Sequence, residues 1–346
     1  MIKIDDLLNK RIVIYGFGAY GKYLYNKLTS YPSIKIVAII DDSIIEQDIS
    51  KVNIYSLRKF VSLNFKYDLI ILSSTYHKLL NRNLKNYNLK GFYFDLFRIK
   101  SKNKITVLKY GNSKLSFYTP NFLTELSIQN LLNTEPQTLN WINSFKSNKI
   151  FFDIGASNGC YSILTSLSKK IDSFAFEPDS KNFNLLSKNI DLNKNKIKGE
   201  ISSFNIALDN ANGILSLKKL EDYDGSHSKV LEKYDRKKNE NDLFESQQNV
   251  LTFSLDNLVE NNLGKYPNYI KIDVDGAELS ILEGAKKILG NIALEQLLIE
   301  TEIKNENILI EKMGKYNFSL IGKHKIHEII GGEIQGTMNY LFKKIT

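Results

Sequence analysis

Two α/β units are predicted for this chain, each a parallel sheet covered by helices, the carboxy-terminal one larger and closed by an antiparallel strand. Three observations predict them. The segments Phe152-Asp153-Ile154-Gly155-Ala156-Ser157-Asn158-Gly159, Phe174-Ala175-Phe176-Glu177-Pro178-Asp179 and Tyr269-Ile270-Lys271-Ile272-Asp273-Val274-Asp275-Gly276 are apolar runs ending in small or acidic residues. A buried parallel strand that delivers a polar loop to the carboxyl edge of its sheet has this form. Strand-like and helix-like stretches alternate through both halves, the pattern of a doubly wound sheet. Near the amino terminus Gly16-x-Gly18-x-x-Gly21 follows one apolar run and precedes a helical one, the setting in which such a turn carries meaning.

The smaller unit is assigned to residues 1–100. Arg11–Tyr15 is its first strand, the glycine turn opens a helix to about Leu28, and Ile34–Ile40 is a second strand ending in Asp41-Asp42. Asp68–Leu72 is a third, followed by Ser73-Ser74-Thr75. An acid at the end of the second strand completes a Rossmann-like fingerprint. A polar link at Ser101–Lys104 starts the second unit, 101–346, whose core begins at 148. Ile105–Pro120 reads as a hairpin turning at Gly111-Asn112, with helices near Phe122–Leu132 and Glu135–Phe145. Thr134-Glu-Pro-Gln137 has the spacing of a capping box with an early proline. After the first glycine turn, further strands are expected at Ser173–Phe176, Ser203–Ala207, Tyr269–Ile272, Gln296–Ile299 and Phe318–Ile321, with Met338–Phe342 last. Glu221–Asn249 is polar, without periodicity, and is expected to be a long loop or insertion.

Composition bounds the answer less than the motifs do. At 346 residues the chain exceeds one ordinary core. Hydrophobic residues make up 42% and charged residues 25%, as in a soluble globular protein. The net charge of +9 would suit a polyanion, yet Lys, Asn and Ile are enriched evenly everywhere, with no basic stripe interleaved with aromatics. The single Cys160 excludes an internal disulfide and a thiolate zinc cluster, and a small residue there suits the start of a helix. No metal-spacing motif is evident. The first residues lack a basic and an apolar signal region, and no apolar run reaches the ~20 residues of a membrane span. A cytoplasmic protein without a membrane span is expected.

The turn Asp153-x-Gly155-x-x-x-Gly159 differs from a dinucleotide turn in a chemically meaningful way. Its glycines and the following helix can approach a ligand closely. Asp153, however, brings negative charge, which repels a pyrophosphate and suits an α-ammonium group. Glu177 ends the next strand, where an acid accepts hydrogen bonds from ribose hydroxyls. An adenosine bearing a cationic amino-acid tail satisfies both, and that ligand is S-adenosylmethionine. The residues expected around it are Asp153, Gly155, Ala156, Ser157, Asn158, Gly159, Glu177, Pro178, Ala207, Asp273 and Val274. Asp273 follows directly from a buried strand and is expected at the reacting centre. Asp275 and Glu278 have capping-box spacing and could simply start the helix over Leu279–Leu289. Glu300 ends the next strand at the same edge.

These segments resemble the FkbM family of S-adenosylmethionine-dependent methyltransferases, over roughly Thr134 to Lys287. Glu135-Pro136-Gln137-Thr138-Leu139-Asn140-Trp141-Ile142, Phe176-Glu177-Pro178, Leu255-Asp256-Asn257-Leu258 and Ile270–Glu278 carry the likeness together with Phe152–Ala156. The resemblance implies a class I methyltransferase sheet and methyl transfer to a hydroxyl oxygen, commonly of a sugar or a polyketide-like product. Gly225-Ser226-His227-Ser228 falls where relatives carry a serine-rich loop, and His227 departs from that pattern. The amino-terminal unit lies outside the family core and looks like the nucleotide-binding half-domains attached to sugar-modifying enzymes. It would hold a nucleotide at Gly16–Gly21 and Asp41, or serve docking or oligomerisation.

A sugar hydroxyl is a weak nucleophile at neutral pH, so a group must take its proton as the new bond forms. Asp273, Glu300 and His227 are the candidates, with His324, His327 and His77 behind them. Alignment would supply the rest, and a carboxylate pair holding a divalent cation is an alternative. The acceptor expected is a small-molecule or nucleotide-linked sugar, hexose or heptose, or a glycan of surface or capsular polysaccharide. A nucleic-acid acceptor is disfavoured because the loop after Ile272 lacks an Asn/Asp-Pro-Pro-aromatic pattern. An NAD(P)-dependent sugar-modifying oxidoreductase using the first unit, and a nucleotide-sugar-binding protein without catalysis, are the competing classes. The oligomeric state stays open, a homodimer among the options.

Overall fold

The computed structural model describes residues 4–43, 48–49, 52–73, 77–93, 101, 104–219, 222–226, 229–234, 244–325 and 337–345. Its contacts separate two compact units, Met1–Ile99 and Lys100–His327, the second completed by Ile334–Thr346.

The first unit runs β1 (Arg11–Tyr15), α1 (Ala19–Thr29), β2 (Lys35–Ile40), β3 (Asp48–Ile49), β4 (Val52–Tyr55), α2 (Leu57–Ser62), β5 (Leu69–Leu72), α3 (His77–Lys85) and β6 (Gly91–Tyr93). The sheet order is β3-β4-β2-β1-β5-β6, parallel throughout except for the β3–β4 pair. The glycine turn is as tight as its sequence implies. Gly16 has φ +96°, and a Cβ on Gly21 would lie 2.0 Å from the Gly16 carbonyl oxygen. Asp41 does not point away from this turn. Its Oδ2 accepts the Phe17 amide at 2.6 Å, and Oδ1 accepts the Ser43 amide and hydroxyl at 2.9 and 2.5 Å.

The second unit opens with the expected hairpin, β7 (Ile105–Tyr110) and β8 (Ser113–Tyr118), then α4 (Phe122–Thr134) and α5 (Pro136–Ser144). The expected capping box at Thr134 is not formed. Thr134 ends α4, its hydroxyl donating to the Asn130 carbonyl at 3.0 Å, and Glu135 precedes α5 without a side-chain cap. The box stands instead at Asn121 and Thr124, at the start of α4. Pro136 occupies the first turn of α5 as predicted.

The main sheet uses β9 (Ile150–Ile154), α6 (Cys160–Ser168), β10 (Asp172–Phe176), α7 (Ser180–Asn193) and β11 (Ile201–Phe204). A second sheet follows, from β12 (Ala207–Asp209), β13 (Gly213–Lys219), β14 (Lys229–Leu231) and β15 (Ser246–Ser254). The chain then returns through α8 (Leu255–Leu258), β16 (Tyr269–Ile272), α9 (Glu278–Glu283), α10 (Lys286–Gly290), β17 (Gln296–Glu302), α11 (Glu306–Gly314), β18 (Phe318–Lys325) and β19 (Thr337–Lys344). The main sheet is ordered β11-β10-β9-β16-β17-β19-β18, with β19 antiparallel to both neighbours. This is the expected doubly wound sheet with its final antiparallel strand. One face packs Phe152, Ile154, Ile270, Ile272, Ile299 and Tyr340 into the large core, and the other starts on Phe151, Tyr269 and Leu298 with Trp141 and Phe145.

Three sequence expectations are corrected. Ser203–Ala207 is not one strand. The Asn205 amide donates to the Glu177 and Pro178 carbonyls at 2.8 and 3.0 Å, turning the chain out of β11 and into β12 of the other sheet. The expected helix Leu279–Leu289 breaks at Gly284, where a Cβ would sit 2.3 Å from the Asp209 carbonyl oxygen. The stretch 221–249 is not wholly loop, because β14 and part of β15 lie within it and pair with β13. Its polarity misleads at Lys229, which, like Lys219 just before the stretch, faces inward. Asp179, fully buried, binds Lys219 Nζ at 2.6 Å and Lys229 Nζ at 3.0 Å, and both ammonium groups are nearly buried too. Burial alone would raise the Asp179 carboxyl, but Lys229, Lys219 and the amides of α7 hold it below the usual carboxylate range.

Removing one member of a buried ion pair strands the other, typically at about 3–5 kcal/mol. Asp179→Asn is therefore expected to destabilise the protein by about 3 kcal/mol or more, read as a lowered urea midpoint at pH 7.

Candidate active site

The carboxyl ends of β9, β10 and β16 converge on a cleft whose opposite wall is the second sheet. The space inside it, open mouth included, is about 710 Å³, within the range that holds a nucleoside-sized ligand. Ile154, Gly155 and Ser157 come from the first strand end, Glu177 and Pro178 from the second, and Asp273, Val274 and Asp275 from the third. Ala207, Leu208, Leu217 and Leu231 provide apolar surface from the second sheet.

Gly155 is required by geometry. Its φ is +84°, and a Cβ there would lie 1.9 Å from the Asp273 carbonyl oxygen. The turn after β9 therefore lies directly on the end of β16. Ser157, also at positive φ (49°), donates its amide to Glu177 Oε2 at 2.8 Å, and the Asp179 amide donates to Oε1 at 2.9 Å. Burial pushes the Glu177 carboxyl up to about 7, against the pull of Lys229 and of these two amides.

Other expected residues support the cleft from outside it. Asp153 is buried and does not line the cleft. Its Oδ2 accepts the Ser162 hydroxyl at 2.6 Å, while Oδ1 has no hydrogen-bond partner. Burial raises this carboxyl, opposed first by Lys271. Ala156 packs with Ala175 and Leu186, and a Cβ on Gly159 would meet Leu186 Cδ1 at 2.3 Å. Asn158 accepts the Cys160 amide at 3.1 Å and the Asn189 side-chain amide at 2.8 Å. The buried Cys160 thiol is pushed up by burial and by Asp153, which disfavours a thiolate.

Asp273 lines the cleft, a third of its side chain exposed, and is in ion-pair contact with the buried ammonium of Lys271. Glu300 shares a hydrogen bond with Asp273, and burial followed by the Asp273 charge pushes its carboxyl well above the usual range. The two stand at one level, since Ile272 pairs with Ile299 across β16 and β17. Neither Asp275 nor Glu278 caps α9, whose first turn starts from Ala277 without a side-chain bond. Glu278 instead accepts the Gly276 amide at 2.8 Å and the Thr301 hydroxyl at 3.3 Å. His227 and His327 lie outside the described residues. His77 starts α3 in the first unit, and His324 is on β18 rather than in a loop, paired with Asn339.

Sequence reasoning missed Asn182 and Lys229, which also line the cleft, as does Ser226 of the serine-containing segment the resemblance placed near the site. Asn182 is tied to the second sheet, accepting the Gly225 amide at 2.9 Å and donating to the Ser226 carbonyl at 3.1 Å. A strand signal between Lys229 and Leu231 would have been needed to find Lys229, and three residues are too few to give one. Gly155→Ala is expected to force the ends of β9 and β16 apart, lowering the melting temperature by several degrees, whereas Gly290→Ala, with nothing within 4 Å, should leave it within about a degree.

The family model described as Methyltransferase FkbM domain matches residues 153–320, and one described as C2185-like, N-terminal, matches residues 8–91. The hexuronic acid methyltransferase AglP of Haloferax volcanii is 26% identical over 143 residues, covering 41% of this chain and 52% of that protein. The chain thus spans about half the length of this curated relative. Among solved structures, M. capricolum TrmK with S-adenosyl-homocysteine has 16% identity and a TM-score of 0.35, covering 60% of this chain and 67% of that one. The M. jannaschii tRNA m1G37 methyltransferase has 14% identity and a TM-score of 0.39, covering 71% and 58%. No described helix is long and apolar enough to cross a membrane. Over residues 153–320 the chain thus resembles the methyltransferase domain of the FkbM family.

Proposed function

We propose that the second unit is an S-adenosylmethionine-dependent O-methyltransferase acting on a sugar hydroxyl. The observation that carries this reading is the placement of two carboxylates in one cleft, Glu177 at one strand end and Asp273 at another, with a glycine turn between them that admits no Cβ. The residues present fit the cofactor. Gly155 leaves its backbone open to close approach, Glu177 offers carboxylate oxygens to ribose hydroxyls, and the apolar side chains of the second sheet suit an adenine face. Bound there, S-adenosylmethionine supplies a methyl group on a positively charged sulfur.

The protein's own groups then have distinct tasks. Ser157 and Asp179 amides fix the Glu177 carboxylate in one orientation. Asp273 faces the cleft and takes the proton of the acceptor hydroxyl on Oδ as that oxygen attacks, with Glu300 beside it. Excluding water strengthens each of these contacts. The sugar class is favoured by the likeness to a hexuronic acid methyltransferase. A nucleotide-activated hexose or heptose, or a glycan of a surface polysaccharide, made in the cytoplasm, is the acceptor proposed. For the first unit a docking role is favoured over nicotinamide chemistry, because the buried Asp41 accepts three hydrogen bonds from its own turn, one more than Glu177 takes from its surroundings.

Calorimetric titration with S-adenosyl-homocysteine, NAD and NADP separates the classes, and failure of the first to bind would overturn the proposal. Ionised Glu177 accepts from the ribose, so affinity should be highest above pH 7 and fall as pH drops through 7, approaching tenfold per unit below about 6. Glu177→Gln should weaken binding at pH 8 and flatten this dependence. Turnover, followed as S-adenosylmethionine consumed against a panel of nucleotide-linked hexoses, heptoses and hexuronic acids, identifies the acceptor. On it, Asp273→Asn should lower kcat by about 100-fold or more while changing cofactor affinity less than about threefold.

A further inference from the structure

Above the aromatic layer of Phe145, Phe151 and Tyr269, the same face of the main sheet turns polar one residue pair further along. Lys271 pairs in register with Asp153, Glu300 with Asn339, and Asn339 with His324. Residues paired in this way project to one side of a sheet, and Asp273 joins them by alternation. Two groups from the covering helices close over this row. Glu135, just before α5, accepts the Thr138 hydroxyl at 2.7 Å, the Asn339 side-chain amide at 3.2 Å and the Tyr161 hydroxyl. Tyr161, on α6, places its ring 4.9 Å from Lys271 Nζ.

The charges in this layer do not balance. Asp153, Asp273, Glu300 and Glu135 all feel Lys271, whose ammonium is 2% exposed. With Asp153 buried and Asp273 and Glu300 partly so, ionising all three beside one ammonium would leave two negative charges uncompensated in a largely buried layer, which burial opposes. Protons must therefore reside on some of them. Burial moves Asp153 and Glu300 in that direction. Asp273 differs from both, being in contact with the ammonium and partly open to the cleft.

We propose that Lys271 and Glu135 are positioning residues that decide where the proton of the Asp273–Glu300 pair resides. Lys271 holds Asp273 as the ionised member facing the cleft, and Glu135, fixed by Thr138, Asn339 and Tyr161, places a negative charge beside the pair that opposes its ionisation. This rests on the methyltransferase reading, since it makes Asp273 the vacant proton acceptor for the attacking hydroxyl. In the transfer the acceptor O–H bond breaks and its oxygen bonds the methyl carbon. The carbon–sulfur electron pair stays on sulfur, and the proton passes to Asp273 Oδ and then to solvent at the cleft mouth. Neither positioning residue touches the reacting atoms.

The two residues act with opposite sign, which makes the test specific. The full-length protein, carrying ¹³C-labelled Asp and Glu carboxyls, is titrated from pH 4 to 9 by NMR, with Asp273 and Glu300 assigned through Asp273→Asn and Glu300→Gln. Lys271→Met should raise the midpoint of the pair by about one pH unit, a tenfold change in proton affinity. Glu135→Gln should lower it by about half a unit, and Lys271→Arg should restore the native midpoint to within that margin. Midpoints that move in the same direction, or not at all, would overturn the assignment. If Lys271→Met does not fold, Glu135→Gln and Lys271→Arg decide it alone. Binding of S-adenosyl-homocysteine to the unaltered protein is measured in parallel. Its absence would sink the methyltransferase reading, whereas the carboxyl titration tests the positioning roles.

Discussion

Asp179 is the point on which the cleft depends. Its carboxylate caps α7 through the Lys181 and Asn182 amides and at the same time binds Lys219 and Lys229 from two strands of the second sheet. One buried group thus joins the strand end that carries Glu177 to the wall opposite it. The Coulomb attraction is large there because little water screens it. Asp209 does comparable work nearby, accepting the Tyr234 and Ser280 hydroxyls and pairing with Lys233, so that the segment after β14 lies against α9. These two acids supply the charged part of what fixes the second sheet over the strand ends, beside the hydrogen bonds of Asn182 and Gln248.

The strand ends were legible from sequence because each consists of a short apolar run followed by a residue with a strong local reason to be there. Gly155 cannot carry a Cβ beneath the Asp273 carbonyl, and Glu177 stands where the sheet exposes its edge. The second sheet was not legible, and the reason is physical rather than statistical. Lys219 and Lys229 read as solvent-facing residues because a lysine seldom enters a core. Their partner Asp179 is distant in the chain, and no local pattern announces such a pairing. Gly284 and Asn205 act similarly, each breaking a regular element through contacts with residues far away in sequence. Lys271 was visible as part of a family-like motif, but its importance comes from Asp153, Glu135 and Glu300, which lie on other elements.

The chemistry assigned to the cleft uses the sheet twice. The edge presents loops that can follow a ligand, while the strand just beneath it presents side chains whose positions are set by register. Asp273 is at the junction between them, the first residue past its strand, so it is both exposed to an acceptor and fixed by Lys271 below. A base on a free loop would lack the second property, and a base within the strand would lack the first. Histidines at loop positions are therefore less well suited to the task than this carboxylate.

The aromatic layer under Lys271 has an electrical consequence. Phe145 and Tyr269 stack with ring centroids 3.8 Å apart and planes within 8°, and Trp141 meets Phe145 edge-on at 4.7 Å. Such a floor is uncharged and largely buried, so the charges resting on it are little screened from that side. Field lines from the carboxyls are thereby directed toward the cleft, where Asp273 is partly exposed. The sheet face works like an insulating plate beneath an electrode, directing toward the ligand an influence that a uniformly wet site would spread over every direction.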